Sequence, residues 1–140
     1  MLHSGTVGAA LTAQTHRIPA LAVSLASGTP VHWDTAAAAA FQALGWLLRH
    51  AEKPIVANVN VPDVPQGKLR GLRAARLAPF GAVQATIGEP GSGFIPVTFT
   101  EPGEEPGPGT DLALVRQGWA TVTALHGPCE GDPPDLGPPE

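Results

Sequence analysis

The chain has 140 residues, 43% of them hydrophobic, and a formal net charge of −4 with only eight Lys and Arg. Its length and apolar content suffice for one domain with a core. The shortage of basic residues excludes general nucleic-acid binding, which needs a cationic face to displace counterions from the phosphate backbone, and leaves a small anionic ligand open.

The first stretch, His3-Ser4-Gly5-Thr6-Val7-Gly8-Ala9-Ala10, is a small-residue turn that runs into an alanine-rich helical pattern over residues 6–14. Ser4 or Thr6 serves as N-cap, accepting a free backbone N–H. The first-turn N–H groups, the positive end of the helix dipole and the two hydroxyls also describe an anion cradle. Gly5 and Gly8 match neither the phosphate-loop nor the dinucleotide spacing, so the chemistry leaves both an ordinary capped helix and a phosphate site open. His16-Arg17 before Ile18-Pro19 ends the helix.

Residues 20–25 form a continuous apolar run, as in a strand buried on both faces of a mostly parallel sheet. After the break at Ser27-Gly28-Thr29-Pro30, Asp34 is expected to cap a helix that reaches His50. Ala37, Ala40, Phe41, Leu44 and Leu48 make its apolar stripe. Residues 55–61 read as a second buried strand, where Asn58 and Asn60 alternate with valines. A buried amide must find partners, so one of them fixes a loop or the floor of a site. Strand, helix and strand over residues 20–61 make a right-handed crossover and an α/β domain.

Beyond Pro62 the chain turns basic and irregular over residues 68–77. Two strand-like runs, 82–87 and 94–100, flank Gly88-Glu89-Pro90-Gly91-Ser92-Gly93, a hairpin signal for about residues 82–100. Residues 101–109 are an acidic Pro/Gly linker. Thr110 then caps a short helix to about Gln117, with Asp111 held in its first turn by the dipole, and Gly118 closes it. Residues 119–125 alternate as a last strand that returns to the sheet. Residues 127–140 are Pro, Gly and acidic residues with little to bury, and are expected to be disordered.

The five histidines, His3, His16, His32, His50 and His126, lack metal-ligand spacing, and no two carboxylates are spaced to bind a metal. Cys129 is the one cysteine, which excludes an intramolecular disulfide. No apolar run reaches the ~18 residues that span a bilayer, and no charged leader with an apolar stretch opens the chain, so a cytoplasmic protein is expected.

Four motifs in order resemble the survival protein E (SurE) family of phosphatases: His3 to Ala10, Arg17-Ile18-Pro19-Ala20-Leu21-Ala22-Val23-Ser24-Leu25, Asn58-Val59-Asn60-Val61-Pro62, and Gly109-Thr110-Asp111 onward to Thr123. The resemblance covers roughly residues 2–126. It implies a Rossmann-like, three-layer α/β core with a mostly parallel sheet and a protruding β-hairpin that joins subunits. It also implies a phosphomonoesterase, dependent on a divalent metal such as Mg or Mn, that acts on nucleoside 5′- or 3′-monophosphates. Ser4, Gly5 and Thr6 would contact the phosphate, and His3, beside them, the phosphate or leaving group. The Asp-Asp pair, the Ser and the Asn that hold the family's metal are not in this chain, which therefore reads as residues 1–126 of a partial domain whose amino-terminal half is missing. Its expected partners are a small phosphomonoester and either further copies through the hairpin or an amino-terminal fragment. The alternative is an inactive remnant that serves as an oligomerisation or interaction module.

Overall fold

The computed structural model describes residues 4–50, 52, 54–79, 84–87, 97–100 and 105–127. Helix α1 (Gly5–Thr15) starts where the Ser4 hydroxyl accepts the Val7 N–H at 3.3 Å, so Ser4 rather than Thr6 is its cap. It ends with two backbone hydrogen bonds: the Arg17 N–H donates to Gln14 O and the Ile18 N–H to Ala13 O. That closure holds Arg17 at φ 60°, a left-handed conformation usually left to glycine.

Strand β1 (Ala20–Ala26) pairs parallel with β2 (Val56–Pro62), and helix α2 (Trp33–Arg49) crosses between them. A short 3-10 turn (Gln66–Lys68) and strand β3 (Leu72–Ala74) follow within the segment expected to be irregular. Strands β4 (Gln84–Ile87) and β5 (Val97–Thr100) pair antiparallel with each other, as a hairpin requires. Helix α3 (Asp111–Arg116), capped by Thr110, turns at Gly118 into strand β6 (Ala120–Leu125). Gly118 sits at φ +85°, which lets the Trp119 N–H reach back to Leu114 O at 3.1 Å.

The main sheet has the order β1-β2-β6-β3 and is mixed rather than mostly parallel. Its outer pairs are parallel, while β2 and β6 meet antiparallel with Asn60 opposite Thr121. Connection length explains the departure. A parallel return needs a crossover of a dozen or more residues. Only Asp63 to Gly71 joins β2 to β3, so β3 must run back against β2, and β6, parallel to β3, enters between them.

Helices cover both faces. Val7 and Ala10 of α1 pack on Ala22, Val56 and Leu125, and α3 lies on the same side, where the Asn60 side chain meets Asp111. On the opposite face Ala39, Ala43 and Leu47 of α2 pack on Ala57, Val59 and Val61. Three layers result. β2, central in the sheet, has Val56, Val59 and Val61 fully buried, whereas β1 is an edge strand in which only Ala22 is buried.

Two expectations for α2 are corrected. His32 is the residue before its first turn and Asp34 lies inside that turn, so Asp34 is not the cap. The stripe of Ala37, Phe41, Leu44 and Leu48 faces away from the sheet, and Thr35, Ala36, Ala39, Ala43 and Leu47 face it. The inner face is mostly alanine, with Leu47 filling the space over Ile55 and Ala57 at its carboxyl end. His3 and the 128–140 part of the tail lie outside the described residues.

Candidate functional site

The carboxyl ends of parallel strands are where open α/β sheets bind ligands, and α1 places its start there. The Gln14 side-chain amide donates to Pro54 O, just before β2 begins. Ser4, ten residues earlier, is therefore about 15 Å further toward the strands' carboxyl ends at 1.5 Å per residue. The Val7 N–H is taken by Ser4 Oγ and the Gly8 N–H by Ser4 O at 2.8 Å. The N–H groups of Gly5 and Thr6 have no partner within the helix. Both residues are exposed, and a Cβ added at Gly5 would meet nothing within 4 Å. An oxyanion there would meet two backbone donors, the free proton of the Ser4 hydroxyl and the positive end of α1.

The asparagines sit on the α1 face of β2. Asn58 is 3% exposed, within the strand, and Asn60 lies nearer its end. The Asn60 amide donates to Asp111 Oδ2 at 3.4 Å. Asp111 Oδ1 accepts from Ala78 N and Leu112 N, each at 2.8 Å. This carboxylate, expected only to sit in the first turn of α3, thus also ties β2 to α3 and to the segment after β3. No hydrogen bond joins Ser4 to either asparagine among the described residues. The structure brings them to the same sheet without placing them in contact.

The sequence reading passed over Asp63, the residue that follows β2. Its carboxylate accepts the Val31 N–H at 3.2 Å, the His32 N–H at 2.9 Å and the His32 Nδ1–H at 2.9 Å. It clasps the start of α2 to the end of β2, beside the same rim. The His32 backbone N–H, aided by the ring, by Val31 and by Ser27, holds the Asp63 carboxyl down at about 2 against the upward push of burial. A Pro-Asp step after a strand was the available signal, but Asp63's partners lie more than thirty residues upstream.

A divalent cation needs free carboxylate oxygens. The Asp63 and Asp111 carboxylates are both engaged by N–H donors, and among the described residues no three His, Cys, Asp or Glu side chains gather closely enough to hold a metal. These residues do not fit the metal that the resemblance implies. Among the described residues no helix is long and apolar enough to cross a membrane.

Comparison with known proteins agrees with the motifs. The family model described as Survival protein SurE matches residues 1–81. A 5'-nucleotidase SurE from Methylococcus capsulatus is 39% identical over 133 residues, covering 90% of this chain and 52% of that protein. A 5'/3'-nucleotidase SurE from Erwinia tasmaniensis is 38% identical over 130 residues, at 90% and 51% coverage. The crystal structure of a SurE protein from Aquifex aeolicus superposes with a TM-score of 0.68 at 23% identity, covering 89% of this chain and 52% of that one, and so shows a shared fold. The chain spans about half the length of the curated relatives it matches.

Proposed function

Since the chain belongs to the Survival protein SurE family, we propose that it supplies the phosphate-holding half of a phosphomonoesterase acting on nucleoside 5′- or 3′-monophosphates. The observation that carries this reading is the start of α1, with Ser4 capping it and Gly5 and Thr6 exposed at the carboxyl ends of β1 and β2. In this reading the Gly5 and Thr6 N–H groups donate to two phosphate oxygens. Ser4 Oγ is fixed by the Val7 N–H and turns its own proton toward a third. Donors already in place need no reorganisation as charge builds on the phosphoryl oxygens. His3, next in sequence, is proposed to face the phosphate or the leaving oxygen.

The Mg or Mn ion implied by the family would supply charge neutralisation and an activated water. Its ligands are proposed to lie in a segment outside these 140 residues, which would also extend the sheet beside β1. The test is the reading frame extended upstream of Met1, purified and assayed for phosphate release from nucleoside monophosphates. Activity that requires Mg²⁺ or Mn²⁺ supports the reading, and its absence sinks it.

The second reading, an interaction module without catalysis, is favoured by one observation: the Asp63 and Asp111 carboxylates are both spent on structural bonds. Under it the hairpin of β4 and β5 joins copies. A folded oligomer of the 140-residue chain that loses mass on deletion of residues 82–100, with the extended product inactive, would select it.

A further inference from the structure

We propose that the outward face of α2 is a self-association surface on which a second copy of this chain lays its own α2 antiparallel. Five of the seven large apolar side chains exposed among the described residues gather on or beside this one helix: Val31, Trp33, Phe41, Leu44 and Leu48. Trp33 is 61% exposed, Phe41 78% and Leu48 67%. Taken with ordinary side-chain areas, they present on the order of 600 Å² per copy, so that a pair reaches the lower end of a stable interface.

Ala37, Phe41, Leu44 and Leu48 recur at intervals of four, three and four, which is the spacing of a helix–helix contact line. The line lies opposite Ala39 and Ala43, which touch the sheet, so it points away from the molecule. Strands added beside β1 would bring their helices in beside α2, in the same layer, and would leave this crest bare. Something stacked on the layer is needed to cover it.

Charge identifies the occupant. Along its 17 residues α2 has two charged side chains, Asp34 in the first turn and Arg49 in the last, both exposed and neither in an ion pair among the described residues. A parallel copy would set Asp34 against Asp34. A two-fold antiparallel copy sets Asp34 near Arg49 at both ends of the contact, as an isologous interface demands. The Arg49 guanidinium folds back over Gly45, its Nη1 3.6 Å from where a Cβ would stand, which brings the charge toward the flank of the crest.

The experiment is sedimentation equilibrium on the 140-residue chain, with circular dichroism to follow the fold. A dimer is expected that Phe41→Glu weakens by about 100-fold or more, since the ring stands at the centre of the contact. Asp34→Arg or Arg49→Asp alone is expected to weaken it by about threefold to tenfold, and the two together to restore much of the loss. The double reversal keeps the inference falsifiable if Phe41→Glu disturbs folding. A chain that is monomeric at every concentration overturns the inference. So does a Phe41→Glu dimer of unchanged strength, the outcome expected if β4 and β5 make the contact. An extended product in which an amino-terminal half covers Phe41 and abolishes dimerisation overturns it as well.

Discussion

The carboxylate of Asp63 receives both the backbone N–H and the ring Nδ1–H of His32 at 2.9 Å, and so one side chain at the end of β2 organises the entry to α2. The carboxylate fixes the residues that lead into the helix rather than capping it, since it takes the N–H groups of Val31 and His32 and His32 itself makes no side-chain cap bond.

The pH dependence of this clasp has a definite sign. Folding lowers the Asp63 carboxyl from 3.8 to about 2, so its contribution to stability is complete above pH 3.8 and is lost as pH falls toward 2. Asp63→Asn is expected to lower stability at pH 7 and to flatten the acid limb between those two values. Urea unfolding at a series of pH values reads both effects, and an unchanged acid limb would contradict the assignment.

The Asp111 carboxylate is expected to matter to folding. Asp111→Ala leaves the N–H groups of Ala78 and Leu112 without their acceptor, at a cost of about 1–3 kcal/mol. Chemical denaturation measures it. A loss no greater than that of an ordinary surface substitution would show that water replaces the carboxylate at no cost.

The two sides of α2 respond differently. Leu47→Ala, on the sheet side at 3% exposure, should cost about 2–4 kcal/mol, while Phe41→Ala should change the stability of the dilute monomer by less than about 0.5 kcal/mol. The reverse order would mean that the helix is turned over.

Arg17 tests the end of α1. Held at φ 60°, it should gain about 0.5–1 kcal/mol on replacement by glycine, which adopts that conformation without a Cβ clash. A destabilised Arg17→Gly chain would show that the Arg side chain does more for the fold than its backbone costs.

The phosphate reading separates from the capping reading at Ser4. Aspartate caps a helix about as well as serine. It also places a negative charge where the phosphate would sit. Ser4→Asp should therefore keep stability within about 0.5 kcal/mol and raise KM for a nucleoside monophosphate by about tenfold or more in the extended product. Unchanged KM would move the phosphate elsewhere.

Much of this was legible in the chain. Ser4, the Ile18-Pro19 stop and the two apolar runs gave α1 and the β1-α2-β2 crossover. Asn60 was expected to need a partner, and Asp111 is that partner. The orientation of α2 was not readable from spacing, because apolar residues recur at the same period on both of its sides. Asp63 carries no periodic signal, and its partners, the backbone of Val31 and His32 and the His32 ring, are brought near only by the fold. The antiparallel contact of β2 with β6 follows from the short link after β2, a constraint on length that hydropathy does not express.

That contact also orders events in time. β1 and β2 pair across about thirty-six positions, as Ala20 with Val56, whereas β2 and β6 pair across sixty-one, as Asn60 with Thr121. Closing the longer loop has the higher entropic barrier, so the crossover should assemble first and α3 with β6 should dock onto it afterwards. Amide protons of β2 that point toward β1 would then gain protection from exchange early in refolding, and those that point toward β6 would gain it late, so that one strand records both stages on its two edges.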